Sequence, residues 1–97
     1  MATYLMLANF TDQGIRNVKD TVKRVEAFRG AAKKANANVK DFYWTLGQYD
    51  CALIIEAPDD ATITGLALSV GALGNVRTQV LRAFSEKEIT PILERLT

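Results

Sequence analysis

The sequence predicts an α+β fold in which helices cover one face of a four-stranded sheet. Three observations lead to this prediction. Segments of strand and helix type follow one another in the order strand, helix, strand, strand, helix, strand; a hairpin occupies residues 41–57; and two of the four strands are apolar on both faces. A chain of 97 residues is the length of one domain, so residues 1–97 are expected to form a single unit.

The first strand is predicted over residues 3–10, which are almost all apolar. Because side chains alternate along a strand, these residues fall on two apolar faces: Leu5 and Leu7 on one, and Tyr4, Met6 and Ala8 on the other. A strand of this kind is typical of the interior of a sheet. The polar residues 11–14 end it.

A helix is predicted next, because apolar residues recur every three or four positions: Ile15, Val18, Val22, Val25, Phe28, Ala32 and Ala35. Asp20 and Thr21 could instead cap a helix that begins later, with residues 12–19 forming a separate turn. The opposite side is rich in Lys and Arg, which indicates a solvated helix face or, alternatively, an anion-binding surface.

The hairpin at residues 41–57 reverses at Gly47, which can adopt positive φ, and Asp50 can tie the turn through a side-chain hydrogen bond. Its first strand alternates in polarity and is predicted to lie at an edge of the sheet. Its second strand, 51–55, is wholly apolar and is predicted to be interior. Cys51, the single cysteine, is expected to be a buried structural thiol in a reducing compartment.

The last third of the chain adds two helices and a strand. A helix is predicted over 61–73 after the capping carboxylates 59–60, and since 61–76 carry no charge it is expected to be covered on more than one side. An edge strand is predicted over 76–84. Ser85 and Glu88 form a capping box for a C-terminal helix. Pro91 either kinks this helix, or the helix restarts there with Thr90 as its cap.

This order of elements is that of the ferredoxin-like β-α-β-β-α-β unit with an additional C-terminal helix. Right-handed crossovers are expected to place the first and third strands in the centre, parallel to each other. The two helices cover only one face. The other face, predicted to present Met6, Ala8, Ala52 and a hairpin aromatic, is too apolar to be left in water, so a second copy is expected to complete a dimeric α/β barrel.

Five stretches resemble the GYD domain family, small bacterial and archaeal proteins named for a Gly, Tyr and Asp signature: residues 10–15, 46–50, 56–60, 74–78 and 81–84. The similarity spans essentially the whole chain, with Gln48 separating Gly47 from Tyr49-Asp50. The resemblance implies the same ferredoxin-like, dimeric barrel. Because the family is largely uncharacterised, it implies no reaction and no catalytic residues.

Several classes of function are disfavoured by composition. A net charge of +1 gives no global field that selects nucleic acid or anionic lipid. No apolar stretch reaches the roughly 20 residues of a membrane span, and no signal-peptide pattern is visible, so a cytoplasmic protein is expected. With no histidine and one cysteine, and with carboxylates that lack the spacing of a cation loop, no metal site and no cofactor are predicted.

Two groups of residues remain as candidates for chemistry. The Tyr49-Asp50 pair could act on a proton, or could simply shape the turn. The end of the first strand is expected near the start of the fourth, where the Arg77 guanidinium suits a carboxylate ligand or a surface ion pair with Asp12. The predicted site for a small organic anion comprises Arg77, Asn75, Gln79, Tyr49, Asp50, Trp44 and Asp12.

The sequence therefore favours a non-catalytic homo-oligomer, a homodimer or larger, that binds a small molecule or a protein partner. The alternative is a cofactor-independent enzyme that acts on a small anionic organic substrate. Both kinds of protein occur on this fold, so the fold does not decide between them.

Overall fold

The chain forms one four-stranded sheet with helices packed on one face. A computed structural model describes residues 1–97, with strands β1 (Ala2–Phe10), β2 (Asn38–Trp44), β3 (Cys51–Ala57) and β4 (Val76–Ala83). The strand order is β2-β3-β1-β4, so the two strands that are apolar on both faces lie in the centre, as predicted. The sheet is open and is not closed into a barrel within one chain.

Every neighbouring pair of strands is antiparallel, so the expectation that β1 and β3 run parallel was wrong. The hairpin is the reason. The right-handed crossover makes β1 parallel to β2, and β3 then reverses direction because it follows β2 through a tight turn.

The helices are α1 (Asp12–Arg16), a 3-10 turn at Val18–Asp20, α2 (Thr21–Lys34), α3 (Asp60–Ala72) and α4 (Glu86–Glu94). The prediction of one continuous helix from residue 15 was therefore wrong. The alternative, a separate turn before a helix that begins at Thr21, is observed. Asn17 leaves the helical conformation with φ −108° and ψ 27°, which separates α1 from the 3-10 turn. As a result Ile15 and Val22 are 53% and 58% exposed instead of lying in the core.

The core lies between the helices and the face of the sheet that they cover, here called the helix-side face. Alternate residues of the central strands point into it, and all are buried: Tyr4, Met6 and Ala8 of β1, with Cys51, Leu53, Ile55 and Ala57 of β3. The prediction that Met6 and Ala8 face away from the helices was wrong. A strand that is apolar on both faces gives no sign of which face the helices cover.

The helix caps follow the sequence closely. The Asp59 side chain accepts a hydrogen bond from the Thr62 backbone N–H at 2.8 Å, and the capping box of Ser85 and Glu88 is complete in both directions. Pro91 lies inside α4, which continues to Glu94 and does not restart at Thr90. None of the residues of α4 is buried, and α3 leaves Leu68 and Leu73 largely exposed, although it was expected to be covered on more than one side.

No helix has the length and apolar character that crossing a bilayer requires.

Candidate functional site

The face of the sheet that no helix covers, here called the open face, has an apolar centre. The strand register aligns Leu5 with Ile54 and Leu81, and aligns Leu7 with Ala52 and Gln79. Tyr43 lies opposite Ala52 on the neighbouring edge strand. Within one chain Tyr43 is 57% exposed and Leu81 is 40% exposed, so this apolar surface is open to contact.

Charged residues lie at the two ends of the open face and on its edge strand β2, where Asp41 is aligned with Ile54. Arg77 is paired in register with Asn9 at one end, and Glu56 with Thr3 at the other. Arg77 is exposed, and the two ion pairs of the chain are Arg29–Glu26 and Arg82–Glu88, so no ion pair joins Arg77 to Asp12. Arg77 and Asp12 instead line one shallow groove together with Gly74.

Two of the predicted site residues are joined by a hydrogen bond. The Tyr49 hydroxyl donates to Gln79 Oε1 at 2.9 Å, so the hairpin turn reaches across to β4. Gln79 is the β4 residue aligned with Leu7. Tyr49 and Gln79 thus form a polar border beside the apolar centre of the open face.

Asp50 connects the hairpin to β1. Its Oδ2 accepts a hydrogen bond from the Phe10 N–H, and its own N–H donates to the Ala8 carbonyl, both at 2.9 Å. The turn itself is closed by Thr45, whose N–H donates to the Asp50 carbonyl at 2.8 Å. Gly47 has φ 116°, the positive value that its place in the turn predicts. Asp50 therefore has a clear structural role.

Asn75 and Trp44 lie away from the open face. The Trp44 ring packs on Phe42 with 4.7 Å between centroids, and its indole N–H donates to Thr21 Oγ1 at 3.1 Å. Asn75 Oδ1 accepts from Gln13 Nε2 at 2.9 Å. The predicted residues are thus divided: Arg77, Gln79 and Tyr49 border the open face, whereas Trp44 and Asn75 lie toward the helices.

Helix α1 approaches the loop before β4 unusually closely at Gly14. A Cβ on Gly14 would lie 1.9 Å from the Asn75 carbonyl oxygen, so only glycine fits without movement of the backbone. The Thr11 N–H donates to that same oxygen at 3.0 Å. This contact joins the segment that follows β1 to the loop before β4.

A cleft that the sequence did not predict lies between the helix-side face, α2 and α3. It has a volume of about 440 Å³, and most of its lining is apolar, including Met6, Phe10, Phe28, Phe42, Leu53 and Val70. Each of these residues has the sequence pattern of an ordinary core position. The cavity arises because α2 and α3 do not close together over the sheet, which no local pattern indicates.

Two buried groups on the helix-side face keep their protons. Burial, and secondarily the Asp50 carboxylate, raise the pKa of the Cys51 thiol to about 11. Burial also raises the pKa of Tyr4 to about 12, with a further contribution from the hydrogen bond that its hydroxyl donates to Asp60. Cys51 is therefore a neutral, buried thiol at neutral pH, as expected. No cluster of three or more His, Cys, Asp and Glu side chains has an arrangement that could hold a metal ion.

Comparison with known proteins places these features in a family. A protein of Thermus thermophilus named "Glutamine synthetase and cystathionine beta-lyase binding protein" is 30% identical over 84 residues, which cover 86% of this chain and 88% of that protein.

Two solved structures have a similar fold. MtbAldR (Rv2779c) matches with a TM-score of 0.68 and 15% identity over 88% of this chain and 52% of that one. TTHA0845 from Thermus thermophilus matches with a TM-score of 0.56 and 23% identity over 88% of this chain and 95% of that one. At these identities the likeness concerns the fold alone. The model of the GYD domain matches residues 4–93, nearly the whole chain, and the protein therefore belongs to the GYD domain family.

Proposed function

We propose that this protein is a non-catalytic homo-oligomer that binds other proteins. The observation that carries this proposal is the open face, an apolar sheet surface bordered by polar residues. The Thermus thermophilus relative, named for binding two enzymes, supports a protein as the partner. The alternative of an enzyme gains no support from Tyr49 and Asp50, because both side chains are engaged in hydrogen bonds within the chain.

The exposed area of a single chain supports self-association. The accessible surface is 6689 Å², whereas a compact monomer of this mass exposes roughly 5,500 Å². The radius of gyration is 14.6 Å, against roughly 12.5 Å for a compact domain of this length. Both α4, none of whose residues is buried, and the open face contribute to this exposed surface. A standard interface buries about 800 Å² per partner, which this excess can supply.

The open face also has the composition of an interface. Leu5, Ile54 and Leu81 form an apolar centre. The charged residues stand around it, Arg77 and Glu56 at the ends and Asp41 on the edge strand β2, as expected for a dry core with a polar rim. Two copies packed face to face with their strands antiparallel would bring the Arg77 end of one copy to the Glu56 end of the other. Such packing forms a dimeric α/β barrel, with opposite charges meeting at its rim.

The test of self-association is the molar mass in solution. Light scattering at micromolar concentration should give a dimer of the 10.7 kDa chain. Ile54→Asp should dissociate or unfold it, because an unpaired carboxylate in a dry interface costs several kcal/mol. Leu68→Asp, at an exposed position of α3, is the matched control and should remain dimeric. A monomeric wild type, or a soluble dimeric Ile54→Asp, would contradict the proposal.

The test of partner binding uses the two enzymes for which the relative is named, prepared from the organism that encodes this chain. Calorimetric titration of each enzyme with this protein should show saturable binding to at least one of them. Failure to bind either enzyme would remove the support that the relative gives to a protein partner.

A further inference from the structure

The cleft on the helix-side face has the size and lining of a small-molecule site. Its floor is formed by the central strands, with Met6, Ala8 and Leu53, and its walls by Phe28 of α2 and Val70 of α3. Its volume of about 440 Å³ falls within the roughly 300–1,000 Å³ typical of ligand pockets. Phe28 and Val70 in the walls are only partly buried, so an apolar occupant gains contacts with them.

One wall of the cleft carries a positive charge. Arg24 of α2 is among the lining residues and is half-buried. Its Nη1 donates to the Asn17 carbonyl at 2.8 Å and its Nη2 to the Gly14 carbonyl at 3.3 Å. These bonds hold the guanidinium in place, yet carbonyls do not neutralise it, and neither ion pair of the chain involves Arg24.

The charges of Asp50 and Arg24 both act on the Cys51 thiol inside the cleft, and the Asp50 contribution is the larger of the two. Burial and Asp50 raise the pKa of the Cys51 thiol, a lining group, whereas Arg24 opposes them and lowers it. A guanidinium has five N–H donors, so the two bonds to carbonyls leave others for a ligand. Thr21, Ser69 and Thr78 add hydroxyl groups to the lining.

We infer that this cleft binds a small apolar carboxylate, with its hydrocarbon body between α2, α3 and the sheet and its carboxylate at Arg24. The apolar lining selects the body, and the guanidinium, which has no ion-pair partner, selects the charge, since carboxylate is the partner with which arginine forms its strongest hydrogen bonds. This site lies on the opposite side of the sheet from the open face. The inference therefore does not depend on self-association or on a protein partner.

Trp44 provides a built-in reporter. It is the only tryptophan of the chain, and its ring contacts Phe42 and Thr21, both of which line the cleft. Titration with decanoate should give a saturable change in Trp44 fluorescence. The uncharged analogue 1-decanol should bind at least about fivefold more weakly, because it lacks the charge-assisted bond, which contributes more than a neutral one.

Variants of Arg24 and Val70 test the two halves of the site. Arg24→Gln should lower the affinity for decanoate to that for 1-decanol, and Arg24→Lys should recover part of the difference because it keeps the charge. Val70→Phe should fill the cleft and abolish the fluorescence change. Leu68→Phe, on the same helix but outside the lining, should leave it intact. Thermal unfolding of each variant confirms that it is folded.

Three results would overturn the inference. The first is the absence of a saturable response to decanoate in the wild type. The second is equal binding of decanoate and 1-decanol, or a folded Arg24→Gln with unchanged affinity. The third is a folded Val70→Phe variant that still binds decanoate with the affinity of wild type, since the ligand would then bind outside the cleft.

Discussion

At the scale of single residues, the helix-side face carries two ionisable groups, a thiol and a phenol, in apolar surroundings. Cys51 is 3% exposed and Tyr4 is 2% exposed, and the Tyr4 hydroxyl donates to Asp60 Oδ1. Burial disfavours the charged form of each group, so the folded chain holds both protons to higher pH than the unfolded chain does. Stability at alkaline pH should report this difference.

We expect the free energy of unfolding to fall as pH rises through the interval from about 9 to about 11 for Cys51, whose folded pKa is about 11. Below that interval both states keep the proton, so no effect is expected. Each unit of pKa difference corresponds to about 1.4 kcal/mol. Urea unfolding of wild type and Cys51→Ala across this range measures the effect.

The variant is first compared with wild type at pH 7, which sets its baseline. In Cys51→Ala the free energy of unfolding should fall less steeply with rising pH, because the contribution of the thiol is removed. The contribution of Tyr4 at higher pH should remain. Parallel pH profiles for the two proteins would show that the Cys51 pKa is not raised by folding.

At the scale of elements, the sequence predicted all four strands and their order because the hairpin and the two doubly apolar strands are local signals. The start of α2 was less certain, since the apolar spacing from Ile15 continues through a segment that Asn17 and a 3-10 turn interrupt. The assignment of faces failed for Met6 and Ala8, because alternation separates two faces without telling which one helices cover. Tertiary packing supplies that information.

The hairpin turn gives a prediction at this scale. Gly47 has φ 116°, and nothing lies within 4 Å of a Cβ placed there, so the cost of a side chain is conformational and not steric. Gly47→Val should lower the free energy of unfolding by about 1–3 kcal/mol.

Gly30 is the matched control for the turn. It lies inside α2, has no positive φ, and also has open space where a Cβ would stand. Gly30→Ala should stabilise the protein by about 0.5–1 kcal/mol, because alanine favours a helix interior. Chemical denaturation measures both variants. If Gly47→Val leaves the free energy of unfolding unchanged, the turn does not require glycine.

At the scale of the whole molecule, the candidate site was only partly accessible from the sequence. The closeness of the end of β1 to the start of β4 follows from the strand order. Asp12 and Arg77 do line one groove there, and the Thr11 N–H donates to the Asn75 carbonyl. The strand order does not predict that Trp44 and Asn75 lie on the opposite side of the sheet from Arg77. That separation depends on which face of the sheet each side chain points to. The apolar cleft is invisible in the sequence for the same reason.

Two roles for Arg77 predict different results. As part of an anion site, it should bind small metabolite carboxylates, which would raise the melting temperature of wild type but not of Arg77→Ala. As part of the dimer rim, it should instead affect self-association. The absence of an ion pair to Asp12 and the position of Glu56 at the far end of the same face favour the second interpretation.

The last prediction separates them by charge exchange. Arg77→Glu should weaken dimerisation on the order of fivefold, because it replaces an attraction at the rim by a repulsion between exposed charges. The double variant Arg77→Glu with Glu56→Arg should recover most of the loss, since the two ends meet again with opposite signs, and higher salt should reduce both differences. Analytical ultracentrifugation at two salt concentrations measures the dissociation constants. A single variant that dimerises like wild type would place Arg77 outside the interface, and a thermal shift lost in that variant would then assign it to the anion site.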